Sequence, residues 1–203
     1  MRDYHAVLEP GYYYHIYNRG NNGEKIFETT GNYEYFLKNL TKYICPYLDI
    51  YAYCLMPNHF HFLAQVKPLS TFETIFKEIE TTITVNDFLG ERFKRFFSSY
   101  VLAFNTQQQR SGSLFEKRFK RLLVTSDEYY SKLIHYIHNN PIHHHFVNEY
   151  SLWKFSSYNA ILSDKPTVIK RAVVLEWFGG KENFTIFHQS NIDYGEIRDL
   201  LTD

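Results

Sequence analysis

Only two cysteines, Cys45 and Cys54, occur in the 203 residues. That excludes a disulfide framework and a zinc–thiolate site, and it fits a reducing compartment. Long apolar runs are missing too, so no segment approaches the roughly 20 residues that a membrane-spanning helix needs. The first residues lack the charged, then apolar, then small-residue order of an export signal. These absences lead us to expect a cytoplasmic protein with no membrane partner. Net charge is absent as well, since Lys plus Arg and Asp plus Glu each number 22.

The neutral total hides an uneven distribution. From Glu91 to Arg121 the chain carries Arg92, Lys94, Arg95, Arg110, Lys117, Arg118, Lys120 and Arg121 against only Glu91 and Glu116. The eight cations and two anions make this span +6, and the remainder is therefore −6. Such a basic stretch, interleaved with Phe93, Phe96, Phe97, Phe115 and Phe119, is the pattern expected of a surface that meets nucleic acid. Tyr and Phe number 18 each. Aromatic residues suit half-buried pleated surfaces, so most are expected in strands and core.

Periodicity divides the chain into elements. Gly11 to Tyr17 reads as a strand, stopped by the loop Asn18-Arg19-Gly20-Asn21-Asn22-Gly23. Asn32 to Ile44 has helical spacing and ends before Pro46. Asp49 to Met56 and His59 to Lys67 read as a hairpin about Pro57-Asn58. Ser70 to about Phe88 reads as one helix, with Ser70 and Glu73 as a capping box. Glu91 to Tyr100 is aromatic and basic, Asn105 to Gly112 is a polar loop, and Leu114 to Val124 reads as a fourth strand. Thr125-Ser126-Asp127-Glu128 is a second capping-box pattern. It opens a helix expected to stop at Asn140, before Pro141.

That order predicts an α+β protein with the ferredoxin-like split βαββαβ antiparallel sheet and one added helix. A short helix is expected over Arg171 to Phe178, broken by Gly179-Gly180. We expect residues 1–150 to form a catalytic domain and residues 151–203 a helical C-terminal extension.

In Met56-Pro57-Asn58-His59-Phe60-His61-Phe62, strand alternation puts both histidines on one face. Phe60, Phe62, Ala64 and Val66 form the opposite, wholly apolar face, expected under helices, which leaves the histidines on a more open face. Tyr136 and Asn140, one helical turn apart, project from one face of their helix. A phenol thus sits beside a carboxamide oxygen that can ligate a hard cation. His59, His61 and Asn140 make a donor set compatible with Mg²⁺ or Mn²⁺. A cation there would polarise a scissile phosphate while Tyr136 attacks phosphorus and expels the 3′-oxygen. Tyr129 and Tyr130 lie on the same helix as rival nucleophiles, but neither has an amide four residues on.

The setting Leu55-Met56-Pro57-Asn58-His59-Phe60-His61-Phe62 resembles the HUH motif of single-tyrosine transposases, most closely the REP-associated tyrosine transposase branch. Asn18-Arg19-Gly20, Gly112-Ser113-Leu114-Phe115 with Arg118-Phe119-Lys120, Tyr136 through Pro141, and Trp153 with Ser156-Ser157-Tyr158 extend the resemblance in family order. It departs at Ile142-His143-His144-His145, where relatives commonly have fewer histidines. The resemblance implies His59 and His61 as metal ligands, Asn140 as a further ligand and Tyr136 as the nucleophile. The implied partner is single-stranded DNA, often folded as an imperfect hairpin. Arg19, Arg110, Lys117, Arg118, Lys120 and Arg121 are the expected DNA contacts. Two other readings compete: a hairpin-DNA-binding protein without chemistry, and a nicking enzyme of the relaxase or replication-initiator type. Monomer and homodimer are both compatible with the sequence.

Overall fold

The computed structural model describes residues 3–79 and 82–201. Four strands, β1 (Tyr13–Arg19), β2 (Leu48–Met56), β3 (His59–Val66) and β4 (Lys120–Val124), form one antiparallel sheet in the order β2-β3-β1-β4. This is the expected ferredoxin-like split order within an α+β fold.

Helices α1 (Thr30–Tyr43) and α3 (Val85–Gln107) cover the face of β3 that carries Phe60 and Phe62. Phe36 of α1 is the centre of that layer. Its ring lies 5.1 Å from Phe60, 4.8 Å from Phe96 and 5.0 Å from Tyr100. The start of α1 is held by Asn32, whose Oδ1 accepts the Glu28 and Thr29 amides, each at 3.0 Å. This satisfies donors that a helix start otherwise leaves open.

The region between β3 and β4 corrects the expected boundaries. The single helix expected over Ser70 to Phe88 is two: α2 (Leu69–Glu78), and α3, which runs on through the basic and aromatic stretch. Residues 80 and 81 of the expected helix lie outside the described residues. Ser70 falls inside the first turn of α2 behind Pro68, so its capping box does not form. The fourth strand is shorter than expected. Lys117 and Arg118 belong to the loop before it, and Phe115 forms an isolated bridge to Gly20, flanked by the Glu116 amide on the Arg19 carbonyl (2.9 Å) and the Asn21 amide on the Leu114 carbonyl (3.0 Å). A Cβ on Gly20 would lie 2.1 Å from the Glu24 carbonyl oxygen, so this close approach requires glycine.

Helix α4 (Asp127–His143) takes Ser126 as its N-cap, one residue past the Thr125 that the expected capping box would use, and Ser126 makes no side-chain cap bond. The helix also runs past the expected stop. Pro141 sits in its last turn, which closes through His144 N–H to the Asn140 carbonyl (3.0 Å) and Phe146 N–H to the Pro141 carbonyl (2.8 Å). Among the described residues, three further α-helices follow: α5 (Tyr158–Leu162), α6 (Arg171–Phe178) and α7 (Lys181–Gln189). Gly179, at φ 72°, takes the left-handed conformation that ends α6.

The segment after α4 lies against β2. The Leu55 amide donates to the Phe155 carbonyl (2.9 Å), the Ser157 amide to the Tyr53 carbonyl (2.9 Å) and the Trp153 indole to the Leu55 carbonyl (3.1 Å). Among the described residues, no helix is long and apolar enough to cross a membrane.

Candidate active site

The histidine face of the sheet is not open. Register places Tyr13, His15, Tyr17 and Arg19 of β1 on the same side as His59 and His61 of β3, and α4 covers that side. His59 is 8% exposed and His61 1%. The expectation of an open face fails because α4 buries a second apolar stripe there, including Leu133, Ile134 and Ile137.

The structure brings the four proposed chemical residues together within one chain. Asn140 Oδ1 lies 3.1 Å from His59 Nε2, and Asn140 Nδ2 donates to the Tyr136 carbonyl at 3.1 Å. The Tyr136 ring lies 5.6 Å from that of His61, nearly perpendicular to it. Tyr136 is 7% exposed. It lines a cavity of about 170 Å³ with Asn139, Asn140, His143, Tyr194 and Leu201. Of the rival tyrosines, Tyr130 packs against Trp177 and Tyr13, at 4.7 and 4.5 Å between rings.

The donor set suits a hard divalent cation. The Nδ2 contact to Tyr136 turns the Asn140 amide so that Oδ1 faces His59. His59 Nδ1 meets Asn58 Oδ1 at 2.7 Å and Nε2 meets Asn140 Oδ1 at 3.1 Å, so a neutral imidazole, with a single N–H, leaves a lone pair facing one of these two oxygens. Two acceptors facing each other repel unless a cation lies between them. His61 Nε2 is buried and has no hydrogen-bond partner. Burial, then the neighbouring His59, His15 and Arg19, hold the His61 imidazole well below its ordinary pKa, in the neutral form a metal requires. Among the described residues, no group of three His, Cys, Asp or Glu side chains is placed to hold a metal, so a site here depends on the amide of Asn140.

The six proposed DNA-contacting cations separate into two groups. Arg19 pairs in register with His59, and Lys120 with Tyr17, which itself pairs with His61. Lys120 is thus two strands, about 10 Å, from His61 on the same face. Lys117 and Arg118 are exposed in the loop before β4. By contrast, Arg121 takes the opposite face and donates to the Ala6 carbonyl. Arg110 is 3.1 Å from Glu24 and also donates to Asn105 Oδ1, so both of these guanidinium groups are committed within the protein.

Two features escaped the sequence. The first is His15, fully buried, whose Nε2 lies 3.0 Å from His61 Nδ1. Its signal was available in the alternation Tyr13, His15, Tyr17, but the abundance of tyrosine hid it. The second is a buried polar cluster behind α4. His138 Nδ1 meets His188 Nε2 at 2.9 Å, and His138 Nε2 meets Ser157 Oγ at 2.7 Å. His135 meets the hydroxyls of Tyr194 and Tyr150 and the carbonyl of His188. His143, His144 and His145 are exposed at the end of α4, with the His144 ring 5.5 Å from His59.

No family model matches the chain. A curated Haemophilus influenzae protein described as "Putative REP-associated tyrosine transposase" is 25% identical over 111 residues, 53% of this chain. The match spans 57% of that protein's length. A solved structure of a REP-associated tyrosine transposase bound to a REP hairpin superposes with a TM-score of 0.60 at 18% identity. That superposition covers 82% of this chain and 89% of the other, so the fold is shared. The chain is thus similar in sequence to one protein described as a REP-associated tyrosine transposase and shares its fold with another.

Proposed function

We propose that this protein is a transposase of the single-tyrosine HUH type, which nicks and rejoins single-stranded DNA at hairpin-forming sequences. The observation that carries the reading is the docking of Tyr136 and Asn140, on one turn of α4, against His59 and His61 of the same chain. Likeness to a protein solved with a REP hairpin supports the choice of DNA partner.

His59, His61 and Asn140 would hold Mg²⁺ or Mn²⁺, which supplies polarisation of the scissile phosphate and offsets the charge that develops on its oxygens. Tyr136 gives up its phenolic proton and forms a bond to phosphorus. The P–O3′ bond breaks, and the 3′-oxygen leaves as a hydroxyl. The 5′-phosphotyrosine keeps the ester, so a 3′-hydroxyl can reverse the attack and rejoin strands. The Asn140 amide ties the carbonyl of the nucleophile's own residue to the ligand set, fixing helix and metal half-site relative to each other. Arg19, Lys117, Arg118 and Lys120 are the cations we assign to DNA phosphates.

A labelled hairpin-bearing single strand incubated with Mg²⁺ or Mn²⁺ should give a covalent protein–DNA adduct, absent in Tyr136→Phe. An undiminished adduct in that variant moves the nucleophile elsewhere. Hairpin binding without any adduct under either metal leaves a DNA-binding protein without chemistry.

A further inference from the structure

We propose that His15 is the positioning residue for the metal site: it accepts the Nδ1–H of His61 and so keeps the His61 Nε2 lone pair directed at the cation. This rests on the reading of His59, His61 and Asn140 as ligands.

Two constraints act on the His61 ring, and they do different things. The rings of Tyr17 and His15 lie nearly parallel to it, at 5.8 and 5.2 Å, which fixes the plane of the imidazole. Stacking says nothing about which nitrogen carries the proton. The 3.0 Å contact between His15 Nε2 and His61 Nδ1 does, because one of the two must donate. If His15 donated, the His61 proton would sit on Nε2, a buried N–H with no partner. An orphaned buried donor is disfavoured more strongly than an unfilled acceptor. With His61 as donor, Nε2 is a bare lone pair, the form that ligates a metal.

The position of His15 supports a role beyond packing. In the ladder it stands between Leu63 and Leu122, where an apolar side chain would fill the space without the cost of desolvating an imidazole. His15 itself is not a ligand in this assignment. It acts through His61, as second partners of metal-bound histidines commonly do.

The tautomer can be read by ¹⁵N NMR of the metal-free wild-type protein, with the His61 resonances assigned through His61→Gln. Protonated Nδ1 and bare Nε2 are expected at neutral pH, and a dominant Nε2–H form overturns the proposal. Mn²⁺ affinity, followed by EPR, supplies the second readout. His15→Phe keeps the aromatic bulk but cannot accept, and should weaken Mn²⁺ binding about tenfold or more. His15→Gln places an amide oxygen where it can accept the same proton, and should recover most of that affinity. Unchanged affinity in His15→Phe, or an equal decrease in both variants, reduces His15 to a packing residue. A wild-type protein that binds no Mn²⁺ overturns the metal-site reading instead, while the tautomer still decides the role of His15.

Discussion

At the scale of single residues, Lys120 differs from its neighbour Arg121 by one step along a strand, and that step sets their fates. Arg121 turns to the helical side, where burial lowers its pKa and Ala6 takes its guanidinium. Lys120 turns to the histidine side, 5.7 Å from the ring of Tyr17. Its ion pair with Glu116, at 3.6 Å, is half-exposed and contributes little. A block of like charge in a sequence cannot reveal this sorting, because strand alternation and partner choice decide it. Replacing Arg19 and Lys120 together by Gln should lower the salt slope of hairpin binding by about 1.4 to 1.8, at about 0.7 to 0.9 for each phosphate no longer neutralised. Arg110→Gln should leave the slope unchanged. Binding titrations between low and moderate salt check both, and a slope left unchanged in the double variant would remove Arg19 and Lys120 from the interface.

At the scale of elements, the hairpin and α1 were legible because their periods are clean and their ends carry turn residues. Helix α3 was not. Phe88, Leu89, Phe93, Phe96, Tyr100 and Phe104 recur at helical spacing and are all buried. The intervening Arg92, Lys94 and Arg95 drew attention to charge rather than period. The consequence is testable, since α3 is half of the aromatic layer under β3. Phe96, fully buried against Phe36 and Phe97, should cost about 3 to 5 kcal/mol when cut to Ala. Leu102, on the same helix and 71% exposed, should cost less than about 0.5 kcal/mol. Urea unfolding of the two variants separates them, and similar midpoints would contradict the packing assigned to α3. The α4 site was legible as spacing, because Tyr136 and Asn140 share a face in any helix. Its burial was not, because nothing local in His59-Phe60-His61 states what will cover it.

At the scale of the whole molecule, α4 is a wall between two buried histidine groups. Toward the sheet it faces His59 and His61, and toward the C-terminal segment it presents His135 to Tyr194, Tyr150 and the carbonyl of His188. His188 in turn meets His138 and the Phe184 carbonyl, and Glu149 lines the adjoining cavity of about 540 Å³. Burial pushes His135 down to about 4 and His188 down to about 3. An unfolded histidine takes its proton near pH 6.5, so below that value the unfolded chain binds more protons than the folded one. Stability should therefore be complete above about pH 6.5 and fall as the solution is acidified toward pH 4 and then 3. The limiting slope is about 1.4 kcal/mol per pH unit for each histidine. Since these side chains tie residues 151–201 to the back of α4, acid should loosen the helix that carries Tyr136 by weakening the attachment behind it. Urea midpoints measured from pH 7 to pH 4 should fall in the wild type and fall less steeply in His188→Gln. Parallel slopes in the two proteins would remove His188 from the acid sensitivity.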